Sequence, residues 1–214
     1  KILSSSDVSN VSGTALPASQ LCHMAHAHGA VVHIDGAQTF GAQSLNLHEI
    51  GCDSYAGSAH KWFLGPKEAG LLYVRKDQME RYGPLVVGSG WGDDVKPEPR
   101  GARKFETLGQ RNDGTLAAVG KACDFLNNLG METVEARTRR LARALKEGLA
   151  KIPGTRVYTS PDPVLSLGVV VFNLGAQIGD RALKDTSYKA FEMGRRMATF
   201  GLFRLASAVC PHME

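Results

Sequence analysis

The feature that most constrains this chain is a short apolar run that ends abruptly in a carboxylate. Val31-Val32-His33-Ile34 is β-branched and apolar, and Asp35-Gly36-Ala37-Gln38 follows it without a break. Such a run predicts a buried strand over 30–34. A helix is expected before it, opened by Pro17 in its first turn and stopped by Gly29, with Leu21, Met24 and Ala25 on one face. Strand after helix is the βαβ rhythm of a mostly parallel sheet.

Short strands recur along the first half of the chain, at 1–3, 54–57 and 70–74, with a polar helix expected over 76–82. The class is therefore α/β, a mostly parallel sheet flanked by helices. From Val86 to Arg111 the texture changes to a long loop rich in glycine and proline, which a compact domain carries only for a reason. A helix over 115–129 follows, with Leu116, Val119, Ala122, Cys123 and Leu126 as its inner stripe. A longer amphipathic helix runs from about Val134 to Ile152, where Pro153-Gly154 stops it. Strands near Val157 and at 169–172 and a helix over 181–189 complete a smaller α+β domain. The domains are thus expected at 1–129 and 130–214, the second incomplete.

Composition narrows the class further. With 43% apolar and 21% charged residues in 214, the chain has material for a real core. The net charge of +4 is mild. The arginines of 137–143 read as a solvated helix face, without the interleaved aromatics that a single-strand groove needs, so no nucleic-acid partner is expected. Cys22, Cys52, Cys123 and Cys210 form no CxxC pair, which points to a reducing, cytoplasmic setting. No apolar run has the length of a membrane span, and no signal peptide is visible. His23, His26 and His28 lack metal-ligand spacing and a nearby acid, so a solvated helix end is expected there and no metal. The first residues fall inside a strand and the last stop abruptly, so a fragment is expected.

Downstream of Asp35, Ser58-Ala59-His60-Lys61-Trp62 puts a hydroxyl, an imidazole and an amine within four residues at the close of a second strand. A carboxylate at the end of a buried strand is costly unless paired. A cationic ring nitrogen is one partner; a helix N-terminus or an arginine is the ordinary alternative. Lys61 stands before Trp62-Phe63-Leu64-Gly65-Pro66, and apolar neighbours would keep its amine neutral and nucleophilic. A lysine snorkelling to the surface is the plainer reading, but it does not explain Ser58 and His60, which together suit a phosphate.

Asp35-x-x-Gln38 followed by Ser58-x-His60-Lys61 resembles the class V aminotransferase family, pyridoxal-phosphate enzymes of fold type I. Ser9-Asn10-Val11-Ser12-Gly13-Thr14 and Phe105-Glu106-Thr107-Leu108-Gly109-Gln110 are similar to two further stretches of that family. The resemblance implies pyridoxal 5'-phosphate as cofactor and an amino acid as substrate. It assigns Lys61 to a lysine aldimine and to α-proton transfer, Asp35 to the ring nitrogen and Gln38 to the ring hydroxyl oxygen. Ser58 and His60 go to the phosphate, and Asn10 to the ring hydroxyl or the substrate carboxylate. It implies a homodimer, with Gln110 the candidate for a phosphate contact from the neighbouring subunit, and Arg204 as the substrate-carboxylate arginine.

The activity expected on this resemblance is of the aminotransferase or epimerase type, closest to the isopenicillin N epimerase-like branch. A cysteine desulfurase or selenocysteine lyase using Cys210 is the alternative among enzymes. A non-catalytic relative serving as a binding or dimerisation module is the alternative outside them.

Overall fold

The computed structural model describes residues 1–87, 100–106 and 111–174, together with 187, 189 and 192. The helix expected over 181–189 falls outside them apart from Ser187 and Lys189. Gln110, Arg204 and Cys210 lie outside them altogether.

Four strands form the main sheet in the order β1 (Ile2–Ser6), β2 (Val31–Asp35), β3 (Ser54–Ser58) and β4 (Gly70–Val74). The first three run parallel and β4 returns antiparallel against β3. The expected mixed α/β class with a mostly parallel sheet is what the chain builds. In β2 the side chains of Val32 and Ile34 are fully buried, whereas Val31 and His33 on the opposite face are only partly covered. Each buried aliphatic side chain contributes about 1.5–3 kcal/mol, and this alternation sets the register.

Helix α1 (Ala18–Ala27) covers the Val32 and Ile34 face through Ala18 and Cys22, with Ala25 alongside. The stripe runs i, i+4, i+7, so Met24 falls on the other side and is 62% exposed, unlike the sequence expectation. Gly29, at φ 68°, supplies the left-handed residue after the helix end. Tyr55 and Cys52 close this core from β3 and the turn before it. Short helix α2 (Leu47–Ile50) is capped by Asn46, whose side-chain oxygen accepts from the amides of His48 and Glu49.

One histidine departs from the expected solvated end. His26 Nε2 donates to Asp53 Oδ2 at 2.8 Å, and the amide of Val32 donates to the same oxygen at 2.7 Å. Arg75 reaches the other carboxylate oxygen at 2.9 Å. Asp53 is only 2% exposed, so this ring of donors is what makes its burial tolerable. The acid that looked absent near the histidines comes from 27 residues further along.

Residues 76–82, expected as a helix, form a 3-10 helix over Lys76–Arg81, and Gly101–Phe105 forms another. Helix α3 (Asp113–Leu129) is capped by Asn112 and buries Ala122 and Leu126, with Val119 against them. Leu116 and Cys123 of the expected stripe are exposed. Helix α4 (Met131–Ala150) follows after Gly130.

The described residues divide into two compact units. One takes 1–7 and 16–134; the other takes 8–15 and the chain from Glu135 onward. In the second, β5 (Thr155–Val157) and β6 (Phe172–Leu174) pair antiparallel. Residues 8–15 join this unit through Thr159, whose hydroxyl donates to Ser12 O at 2.8 Å. Two basic residues of α4 hold the loop between β5 and β6. Lys146 Nζ, which is buried, donates to Ser160 O and Ser166 Oγ, both at 2.7 Å. Arg139 donates to the carbonyls of Pro163 and Ser166 and pairs with Glu135. The arginine-rich face is therefore not simply solvated: it captures carbonyl oxygens that the loop leaves without strand partners.

Candidate active site

The parallel register places Asp35 and Ser58 together at the carboxyl end of the sheet. Asp35 ends β2 and pairs with Ala56 of β3, so Ser58, the last residue of β3, lies just beyond it. His60 and Lys61 stand in the turn that follows. In open α/β sheets the carboxyl ends of parallel strands are where ligands bind.

Two turns form the floor. The first, after β2, begins at Gly36, whose amide donates to Ala56 O at 2.8 Å. Tyr55 lies directly beneath it: a Cβ on Gly36 would fall 1.9 Å from the tyrosine oxygen. Tyr55 OH in turn donates to Gly36 O and lies 3.0 Å from the Thr39 hydroxyl. Burial pushes the Tyr55 phenol above its ordinary range, so it stays a neutral donor. Asp7 lies under the same turn, and its amide donates to Asp35 O at 3.0 Å. Burial raises the Asp7 carboxyl, with the Thr39 hydroxyl pulling the other way.

The second turn, 59–65, is closed by Gly65 N–H donating to Ala59 O at 2.7 Å and by Leu64 N–H donating to Lys61 O. Leu64 takes φ 61°, a left-handed conformation uncommon for leucine. The turns are joined by Phe40 and Phe63, whose rings stack at 4.4 Å between centroids.

Asp35 is exposed, and its Oδ1 accepts from the Ala37 amide at 2.9 Å. The burial cost expected for it is not incurred, because β2 ends at the surface. Gln38 Oε1 accepts from the Trp62 indole at 3.0 Å. Ser58 is half-buried and His60 exposed. Lys61 is exposed too, which corrects the expectation of a desolvated amine: the strand has ended and the lysine stands in an open turn.

The expected apolar neighbours are nevertheless there. A cavity of about 570 Å³ is lined by Gln38, Lys61, Trp62, Leu64, Leu126 and Val134, among others. Trp62 counted in the sequence only as an apolar neighbour of Lys61. Its polar role was hidden because its partner lies 24 residues upstream. Asn10 belongs to the second unit, where it is exposed at the tip of a turn closed by Gly13 N–H donating to Ser9 O. Among the described residues no group of acids, histidines and cysteines could hold a metal ion.

The donor set fits pyridoxal phosphate. It offers a primary amine on an accessible turn, a carboxylate at a strand end, an amide in the same cavity, and a hydroxyl and an imidazole two residues apart.

The family model for aminotransferase class-V matches residues 1–183. Among curated relatives, isopenicillin N epimerase of Streptomyces clavuligerus is 35% identical over 179 residues, covering 79% of this chain and 45% of the relative. A probable cysteine desulfurase of Halalkalibacterium halodurans is 34% identical over 181 residues, 81% of this chain and 43% of the relative. The chain thus spans under half the length of these relatives. Among solved structures, the apo cysteine desulfurase of Thermococcus onnurineus NA1 superposes with a TM-score of 0.75 at 26% identity. That match covers 82% of this chain and 44% of the other.

Proposed function

We propose that this chain, which belongs to the class V aminotransferase family of pyridoxal-phosphate enzymes, forms part of an enzyme acting on an amino acid through α-proton transfer. The observation that carries the reading is the sharing of one cavity by Gln38, Lys61 and Trp62, in the turns that follow Asp35 and Ser58 at the carboxyl ends of β2 and β3.

When bound, pyridoxal phosphate supplies an aldehyde for a lysine amine and a cationic ring that accepts the electrons left when an α-proton departs. Lys61 is the amine that holds the cofactor covalently and the base that moves the proton at the substrate α-carbon. Its exposed position on an open turn leaves the amine accessible to a cofactor aldehyde. Asp35 pairs with the ring nitrogen and keeps it protonated. Gln38 donates to the ring hydroxyl oxygen. Ser58 and His60 bind the phosphate, and the family resemblance adds Asn10 and Arg204 on the substrate side. An amino-transfer or epimerisation outcome, a homodimeric assembly and a cytoplasmic setting belong to the same reading.

Release of sulfur from cysteine is the second reading, favoured by the 34% identical relative named a probable cysteine desulfurase. Among the described cysteines, Cys22 and Cys52 are buried and unsuited to that task. Burial pushes the Cys52 thiol up to about 11. Cys210→Ser separates the readings: sulfide release is lost in a desulfurase and amino-acid turnover persists otherwise.

Equimolar pyridoxal phosphate followed by borohydride tests the site itself. A pyridoxyl group on the peptide containing Lys61, absent from Lys61→Ala, is the expected result. A colourless protein with no modified Lys61 overturns the enzyme reading in favour of a non-catalytic module.

A further inference from the structure

Gln38 and Trp62 sit 24 residues apart, yet Trp62 Nε1 donates to Gln38 Oε1 at 3.0 Å. An indole N–H can only donate, so the oxygen of the Gln38 amide is fixed toward the tryptophan. The amide NH2 is thereby turned the other way. We propose that Trp62 is a positioning residue: it locks Gln38 as a hydrogen-bond donor toward the cofactor's ring hydroxyl oxygen. The inference rests on the reading of this cavity as a pyridoxal-phosphate site.

The fold supports the lock from both sides. Gly41 takes φ 87°, and a Cβ there would lie 2.7 Å from the Trp62 carbonyl carbon, so the two turns meet backbone to backbone. The stacked Phe40 and Phe63 rings hold them in that contact. Both partners line the cavity with Lys61. An unrestrained glutamine could present oxygen or nitrogen with equal ease, and oxygen facing an electron-rich ring oxygen would repel it. Fixing the amide before binding removes that ambiguity and the side-chain entropy of choosing.

Two ligands, pyridoxal phosphate and its 3-deoxy analogue, which lacks the ring hydroxyl, separate positioning from packing. Their dissociation constants are measured by absorbance on wild type and Trp62→Phe. Wild type should favour pyridoxal phosphate, and Trp62→Phe should shrink that preference about fivefold with little change for the analogue. Gln38→Glu keeps an oxygen for the indole but turns a second oxygen toward the ring, so it should lose the preference too. That variant serves if Trp62→Phe does not fold.

Equal weakening of both ligands by Trp62→Phe would make Trp62 a packing residue and overturn the assignment, as would no change in either. A Gln38→Glu protein that keeps the wild-type preference overturns it as well. Wild-type protein that binds neither ligand overturns the cavity's reading and this assignment together.

Discussion

Gly41 and Phe63 approach so closely that a Cβ on the glycine would lie 2.4 Å from both the amide nitrogen and the Cα of Phe63. No real side chain tolerates that distance to backbone, and the glycine's φ of 87° adds conformational strain for any other residue. Through this contact the turn carrying Gln38 is joined to the turn carrying Lys61. Gly41→Ala should therefore destabilise the protein by roughly 2–5 kcal/mol, combining left-handed strain with overpacking. Urea unfolding measures it. A variant within 0.5 kcal/mol of wild type, on the scale of neutral surface changes, would show that the turns separate easily.

Asp53 presents a different kind of dependence. Its carboxylate takes hydrogen bonds from Val32 and His26 and pairs with the Arg75 guanidinium while almost fully buried. Asp53→Ala would strand the buried Val32 amide and two cationic or polar side chains. The expected loss is about 3 kcal/mol, below the full buried-pair range because Arg75 and His26 are about a third exposed. A shift in the urea midpoint without a change in slope is the measurement that checks it.

Asp7 should make stability respond to pH in the opposite sense from a paired carboxylate. Burial raises its folded-state pKa above the ordinary aspartate value of 3.8. The folded protein thus holds this proton more tightly than the unfolded chain does. The stabilising contribution is fully present below the unfolded pKa and is lost as pH rises through the folded one. Asp7→Asn stays uncharged throughout, so it should be more stable than wild type at pH 7 and lose that advantage near pH 3. Urea unfolding of both proteins at the two pH values tests this; a variant less stable at pH 7 would show that the charged form is needed under the Gly36 turn.

What the sequence disclosed follows from the range of the forces involved. The run Val31 to Ile34 announced its strand because it is short, apolar and β-branched, a signal carried by adjacent residues. Asp35 and Ser58 were legible as strand ends because apolar patterning stops at them. His26 with Asp53 and Gln38 with Trp62 were not legible, since each pair is 27 or 24 residues apart and polar on both sides. The exposure of Lys61 escaped for a related reason. Its apolar neighbours in sequence line an open cavity, so hydrophobic company did not mean desolvation.

Asp35→Asn offers a clean division between fold and chemistry. Asp35 Oδ1 accepts from the Ala37 amide, and an asparagine oxygen in the same place can accept that bond. The side chain is exposed, so neither burial nor packing is disturbed. Stability should change by no more than about 0.5 kcal/mol. The charge, however, is gone, and with it, on the proposed reading of the site, the partner of a cationic ring nitrogen. A hydrogen bond to a charged group contributes about 1.5–3 kcal/mol, which corresponds to roughly ten- to hundredfold weaker pyridoxal-phosphate binding. Absorbance titration and urea unfolding on the same preparation read the two effects separately. Loss of stability with unchanged affinity would make Asp35 a turn-capping residue, its ordinary role at the end of a strand, and would remove it from the site.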